Sequence, residues 1–307
     1  MLKETNYRGW KALEISTDQA ELIIPTGIGP RVISCRLKDG ENLFTGIEEH
    51  MGGSGEKEFT VRGGHRLWHA PEHPERTYGP DNAPVEVTLL DSGRGVVLTQ
   101  DVEPTTGIQK QMAVEVINST SFKVSHRLTN LNLWAVELAP WALSMMRNDG
   151  YAVVPYPPKK SHSESLLPNM AIVPWTYTDL SLPIWKLRSD YLGIDVSKAD
   201  RSQKIGITFF PGWSAYWTPQ GTFVKYYQVV PGAKYPDLGS CFEAYTCDWM
   251  IELESLAPLA KLAPQGGFAE HVEYWGLIKG LPKPDSDAVF HDKFRPVIEN
   301  WLSCTRI

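Results

Sequence analysis

Side-chain alternation with a period of two constrains this chain more than any other feature. In "SFKVSHRLTN" it sends Phe122, Val124, His126 and Leu128 to one face and Lys123, Ser125, Arg127 and Thr129 to the other. Only a strand can bury one of those faces while wetting the other. "APVEVTLL", "RGVVLTQD", "GIQKQMAVEVI", "YLGIDVS", "KIGITFF" and "GTFVKYYQVV" are further short runs rich in β-branched and aromatic residues. Turn signals such as "DSGRG", "EPTTG" and "TPQG" separate them. The spacing predicts an all-β fold, a large antiparallel sandwich or barrel. At 307 residues the chain can build a sizeable core, and the expectation is a single domain over 1–307.

Two segments break the rhythm. Residues 155–190 carry six prolines among Trp175, Tyr177 and Trp185, an irregular excursion too aromatic for a disordered linker. Toward the C-terminus, about 285–303, Phe290, Phe294, Val297 and Trp301 recur at helical intervals. They predict a short helix packed on a sheet, kinked or divided at Pro296.

A net charge of −6 and the lack of any Lys/Arg-rich run argue against nucleic-acid and anionic-membrane partners. There is no long apolar run and no apolar signal core in "MLKETNYRGW", so a soluble, cytoplasmic protein is expected. Cys35, Cys241, Cys247 and Cys304 form no CxxC pair and read as reduced, mostly buried thiols. No cofactor is implied, and the oligomeric state is open.

Chemistry concentrates in two places. In "CDWMIELESLAP" the alternation sends Trp249, Ile251 and Leu253 one way and Met250, Glu252 and Glu254 the other. Two carboxylates so placed sit about 6.6 Å apart at the backbone, within the reach of paired acid–base work on a glycosidic centre and equally at home on a solvated face. Eleven Trp and twelve Tyr, many in strand-like runs, supply apolar faces for a sugar ring. In "VRGGHRLWHAPEHP", Arg62 and His65 flank two glycines and fit a ligand-facing loop. His65, His69 and His73 recur at helical spacing, but Pro71 and Pro74 interrupt any helix, so no zinc site is expected there. His126 shares the apolar parity of its strand and reads as a core histidine.

Three segments carry a resemblance. "AELIIPTGIGPRVISCRLKDGENLF" resembles the opening of galactose mutarotase-like (aldose 1-epimerase-like) proteins, and "VRGGHRLW" resembles the R-G-G turn of their hexose-6-phosphate epimerase branch. "MIELESLAPLAKLAPQGGFAEHVEYWGL" looks like the family's ending, where a strand bears the catalytic Glu. The resemblance spans about residues 11–278 and implies a β-supersandwich binding a small sugar. It also implies a mechanism in which a Glu takes the anomeric hydroxyl proton while a His protonates the ring oxygen. Glu254 aligns with that Glu and Glu252 is its neighbour. Arg62 matches the ligand-contacting arginine, and His65 is the nearest acid or binding histidine. Arg147 is a further anchor for hydroxyls or a carboxylate. The family's general-acid His falls where this chain has Trp141, and a downstream His-bearing turn is here "TYGPDNAP", with Tyr78. The resemblance therefore implies carbohydrate binding with weak epimerase or mutarotase activity, and Arg62, His65 and Glu254 are expected in one pocket. The alternatives are a glycoside hydrolase or polysaccharide lyase, using Glu252 with Glu254 or Tyr78 as acid, and a sugar-binding or sensing module without turnover.

Overall fold

The computed structural model describes residues 1–305. Three sheets of four, ten and eight strands account for nearly all the regular structure among them. The ten-stranded sheet has Gly221–Tyr227, Gly267–Ile278, Ser121–Asn130 and Ile108–Asn118 at its middle, paired antiparallel. The eight-stranded sheet runs Ile172–Pro174, Gln203–Ile207, Phe242–Thr246, Met250–Leu256, Val136–Arg147, His65–Ala70 and Arg31–Val32, with Ala260–Leu262 paired to Val136–Arg147. The alternation predicted for Ser121–Asn130 holds: Phe122, Val124, His126 and Leu128 are all buried.

The two large sheets pack their apolar faces together. Val114, Phe122, Val124, Phe223 and Trp275 from one join Leu67, Ile205, Ala244, Ile251 and Leu253 from the other in a single core. The far face of the ten-stranded sheet carries the C-terminal helical segment. Phe290, Phe294, Ile298, Trp301 and Leu302 cover Tyr151, Val153, Trp213 and Val224 there. Gly276 permits that contact, since a Cβ at this position would lie 2.4 Å from the Trp301 ring. The expected break at Pro296 is displaced. Asp287–Val289 begins the segment with Ser286 as cap, a π turn spans Phe290–Phe294, and a regular helix runs Arg295–Thr305. The helical run is continuous from 287 to 305, and its irregularity is this π turn, which ends just before Pro296. The excursion is also less irregular than expected, because Ile172–Pro174 and Trp185–Leu187 each add an edge strand. No helix among the described residues is long and apolar enough to cross a membrane.

The sandwich interior is not wholly apolar. His65, His126, His271, Lys225 and Glu273 are all buried between the sheets. Their hydrogen bonds close into a consistent set with every imidazole neutral. His126 Nδ1 donates to the His271 carbonyl (3.0 Å), which leaves its Nε2 to accept from His65 Nε2 (2.7 Å). His65 Nδ1 then accepts from Ser144 Oγ (2.9 Å). His271 Nε2 donates to Ser255 Oγ (2.6 Å), whose hydroxyl donates to Glu273. Glu273 also receives Lys225 Nζ (2.8 Å) and Trp275 Nε1 (2.6 Å). Lys225 in turn donates to the Leu253 carbonyl of the facing sheet (3.0 Å). A fully paired network of this kind ties two sheets at fixed positions.

Burial pushes His65 and His126 below the usual histidine range and His271 down to about 3, with Glu273 only partly opposing. The folded state therefore binds fewer protons than the unfolded chain. Stability is full above the unfolded histidine value of about 6.5 and is lost as the pH falls below it toward the folded values. Urea unfolding monitored at about pH 7.5 and about pH 5 should show a clearly lower midpoint in acid, and His126→Phe should flatten that dependence. An unchanged midpoint would contradict neutral buried imidazoles.

Candidate functional site

The face of the eight-stranded sheet turned away from the core bears a cleft of about 360 Å³, within the range of small-molecule sites. Strand parity builds its floor. Met250, Glu252 and Glu254 project into it from Met250–Leu256, while Ile251 and Leu253 project into the core. Val136–Arg147 contributes Trp141, Leu143 and Met145, and His65–Ala70 contributes Arg66 and Trp68. Lys204 enters from Gln203–Ile207, and Tyr78, Tyr177, Tyr245 and Trp249 complete the walls.

Charges on this floor are compensated across neighbouring strands. Arg66 Nη1 lies 2.8 Å from Glu252 Oε1, an ion pair by distance whose angles fall short of a hydrogen bond, and its guanidinium sits 4.2 Å over the Trp68 ring. Lys204 Nζ is 3.0 Å from Glu254 Oε2 and 2.8 Å from Glu243 Oε2. The same ammonium rests on the rings of Trp141 (4.6 Å) and Trp175 (4.8 Å). Trp141 Nε1 donates to Glu254 Oε2 (2.9 Å), whereas Glu254 Oε1 accepts no hydrogen bond although it is buried. Burial pushes the Glu254 carboxyl above the usual range, opposed by Lys204. Burial pushes Glu243 well above the usual carboxylate range, with the charges of Glu254 and Asp237 adding to the rise and Lys204 opposing it. Burial alone would lower Lys204, yet Glu254 and Glu243 together carry it upward. Burial raises the hydroxyl of Tyr78, which donates to Glu72, and pushes that of Tyr177 up to about 12. Both phenols are therefore protonated donors at neutral pH.

No family model matches the chain, and no curated protein matches it. Solved structures do. The Slr1438 protein from Synechocystis sp. PCC 6803 superposes with a TM-score of 0.61 at 11% identity, covering 90% of this chain and 99% of its own. A galactose mutarotase-like protein from Lactobacillus casei gives 0.57 at 11%, covering 87% and 99%. A galactose mutarotase related enzyme from Lactobacillus acidophilus gives 0.53 at 9%, covering 90% and 98%. The chain has the galactose mutarotase-like fold. At such identities the likeness establishes architecture, and the chemistry has to come from this chain's own side chains.

Within the mutarotase-like scaffold, Glu252, Glu254, Trp141 and Tyr78 line one cleft. Three other expected residues lie elsewhere. His65 points into the sandwich, sharing the parity of Leu67, so the residues facing the cleft from its strand are Arg66 and Trp68. Arg62 precedes that strand, pairs with Glu56, donates to the His50 carbonyl (2.5 Å) and lies against Trp10. Arg147, at the end of its strand, is held by Glu41 and Asp149 beside a different depression. The expected meeting of Arg62, His65 and Glu254 does not occur. The glycines of "RGG" lie against backbone of neighbouring segments. A Cβ on Gly63 would lie 2.1 Å from the Thr45 carbonyl and one on Gly64 2.3 Å from that of Val32, so both serve close backbone packing at positive φ.

The other histidines take separate partners. His69 Nε2 lies 3.4 Å from Glu103, which Lys110 holds, and His73 Nδ1 accepts from the Glu75 backbone (3.3 Å). His65, His126 and Glu273 do bring three ligand atoms together. Lys225 already neutralises Glu273, however, and a dication beside it would leave excess positive charge in a dry interior. The hydrogen-bonded arrangement accounts for each of these groups without a metal.

Arg66, Trp68, Lys204, Glu243, Tyr177 and Tyr245 were not singled out from sequence. The alternation of Arg66 and Trp68 against His65 and Leu67 carried the signal for the first two. Arg66 and Glu252 are nearly enclosed, with side chains 3% and 7% exposed, whereas Arg147 is 30% exposed. Arg66→Ala strands a buried carboxylate and should cost about 3–5 kcal/mol in denaturant unfolding. Arg147→Ala should cost about 1 kcal/mol or less. Equal losses in the two variants would contradict the assignment of Arg66 to the cleft floor.

Proposed function

We propose that the cleft binds a small sugar and interconverts its anomers, with Glu254 as general base. The observation that carries this reading is the Oε1 without a hydrogen bond on Glu254, a buried carboxylate whose residue lines an aromatic-walled cleft. A carboxyl pushed upward by burial is a stronger base than an exposed one, yet Lys204 opposes its protonation. Abstraction of the anomeric hydroxyl proton by Glu254 opens the ring, provided the ring oxygen receives a proton in turn. His65 is too deep to supply it. Tyr78, a protonated phenol on the cleft wall, is the donor this reading assigns, its O–H turning from Glu72 to the ring oxygen when a sugar is bound. Trp141, at the position of the family's acid, has its N–H committed to Glu254 and its ring under Lys204, and Arg66 covers Trp68, so Trp141 orients the base and stacking falls to Trp249 and the tyrosines.

Charge narrows the ligand. Glu72, Glu252 and Glu254 face only Arg66 and Lys204, both already paired. An uncharged hexose meets no unpaired repulsion in such a site, whereas a phosphate or uronate does. The Glu252–Arg66 pairing also argues against a two-carboxylate hydrolase, because it withholds Glu252 from acid–base work.

NMR exchange spectroscopy on hexoses, uronates and hexose 6-phosphates provides the test. Neutral hexoses should exchange anomers faster than their 6-phosphates. Glu254→Gln should lower the catalysed rate about 10²–10⁴-fold, and Tyr78→Phe should lower it with little change in sugar binding. Binding without any accelerated exchange would instead assign the cleft to sugar recognition alone.

A further inference from the structure

The role of the ammonium beneath Glu254 goes beyond this reading. Lys204 Nζ is enclosed by four groups: Glu254 and Glu243 as ion-pair partners, and the rings of Trp141 and Trp175 on either side. Its side chain is 5% exposed and those of both glutamates are 0% exposed. Glu243 and Glu254 stand directly opposite each other in the register of their strands. Two carboxylates and one ammonium in so closed a space cannot all be charged without a net buried anion, which is costly. One of the two acids must carry a proton. The donors decide which: Glu254 Oε2 accepts from both Trp141 Nε1 and Lys204, and Glu243 accepts no aligned hydrogen bond.

We propose that Lys204 is a positioning residue that keeps Glu254 a carboxylate with one oxygen left without a hydrogen bond, while Glu243 beside it carries the proton. Lys204 does not touch the ligand in this scheme. It acts through Glu254, and its aromatic slot fixes where the charge sits. The other charged or titratable groups facing Glu254 are Glu252 on its own strand, Lys225 from the opposing sheet, and Tyr177 and Tyr245 on the cleft walls, and Glu243 also faces Asp237, which favours its proton. Glu252 is neutralised by Arg66 and Lys225 by Glu273, which leaves Lys204 as the cation assigned to Glu254. Burial pushes both Glu243 and Glu254 upward, Glu243 further, in keeping with this division.

Infrared difference spectroscopy of the full chain near neutral pH reads this directly, without requiring activity. In the wild type, the protonated-carboxyl band of the cleft should shift in Glu243→Asp and stay in place in Glu254→Asp, since each variant keeps the charge count and alters only one carboxyl. Lys204→Met should add a second protonated-carboxyl band that Glu254→Gln removes, with the Glu254 titration raised by about 1–3 pH units. Lys204→Arg should restore the single band. If Lys204→Met does not fold, Glu243→Gln still decides: Glu254 should remain ionised and titrate at lower pH, because Lys204 then serves one acid. A wild-type band that follows Glu254, or a Glu254 titration unmoved in both Lys204→Met and Glu243→Gln, would overturn the proposal. The inference rests on the sugar-site reading only for its catalytic consequence. Should the infrared result hold while no sugar is turned over, the general-base role falls and the ionisation control stands.

Discussion

A strand with a core on one side and a cleft on the other cannot place a residue on both, and most of the site follows from that. Met250–Leu256 is buried along its whole length, with Ile251 and Leu253 sealing the sandwich and Glu252 and Glu254 forming the floor of the cleft. The acids sit where water cannot fully solvate them, so each needs a cation delivered by an adjacent or next-nearest strand. Register brings the cations to the right face, and the pairing itself is diagonal. The in-register lines run Arg66–Leu143–Glu254 and Lys204–Tyr245–Glu252, yet Arg66 pairs with Glu252 and Lys204 with Glu254. A slip of one residue in either pairing would move these side chains to the opposite face.

The sheet separates two polar systems that share a backbone. On the inner side, Lys225 holds the Leu253 carbonyl and Ser255 bonds both His271 and Glu273. On the outer side, the residue between them in sequence is Glu254. The inner network therefore clamps the strand at the positions flanking the proposed base, and it does so with groups that remain paired while every imidazole is neutral. Precision in the cleft depends on such clamping, because a loosely held carboxylate would lose the alignment that Trp141 and Lys204 impose.

The architecture was legible because period-two alternation is a local property, visible in any ten residues of Ser121–Asn130. Glu252 and Glu254 were legible for the same reason: Ile251 and Leu253 set the phase around them. His65 was misplaced because Gly63 and Gly64 have no side chains to carry the phase across the turn, so Arg62 and His65 read as one constellation. Chain folding resolved the ambiguity by giving Arg66 and Trp68 to the cleft. Lys204 left no local signal, since the nearest residue of its parity on that strand is Gly206. Its significance exists only in the pairing of Gln203–Ile207 with Phe242–Thr246 and then with Met250–Leu256, which brings Lys204 to Glu254, 50 positions away in the chain. Pattern reading recovers faces, and it does not recover which strands become neighbours.

The position of Trp141 has a further consequence. Its indole nitrogen donates to Glu254 Oε2 while an ammonium lies over its ring. An indole excited state is polar, so a carboxylate at one edge and a cation over one face impose a strong local field on its emission. Neutralising either charge changes that field at once. The chain thus carries an optical gauge of the electrostatics at the floor of its cleft, in the share of its emission that Trp141 contributes among eleven tryptophans.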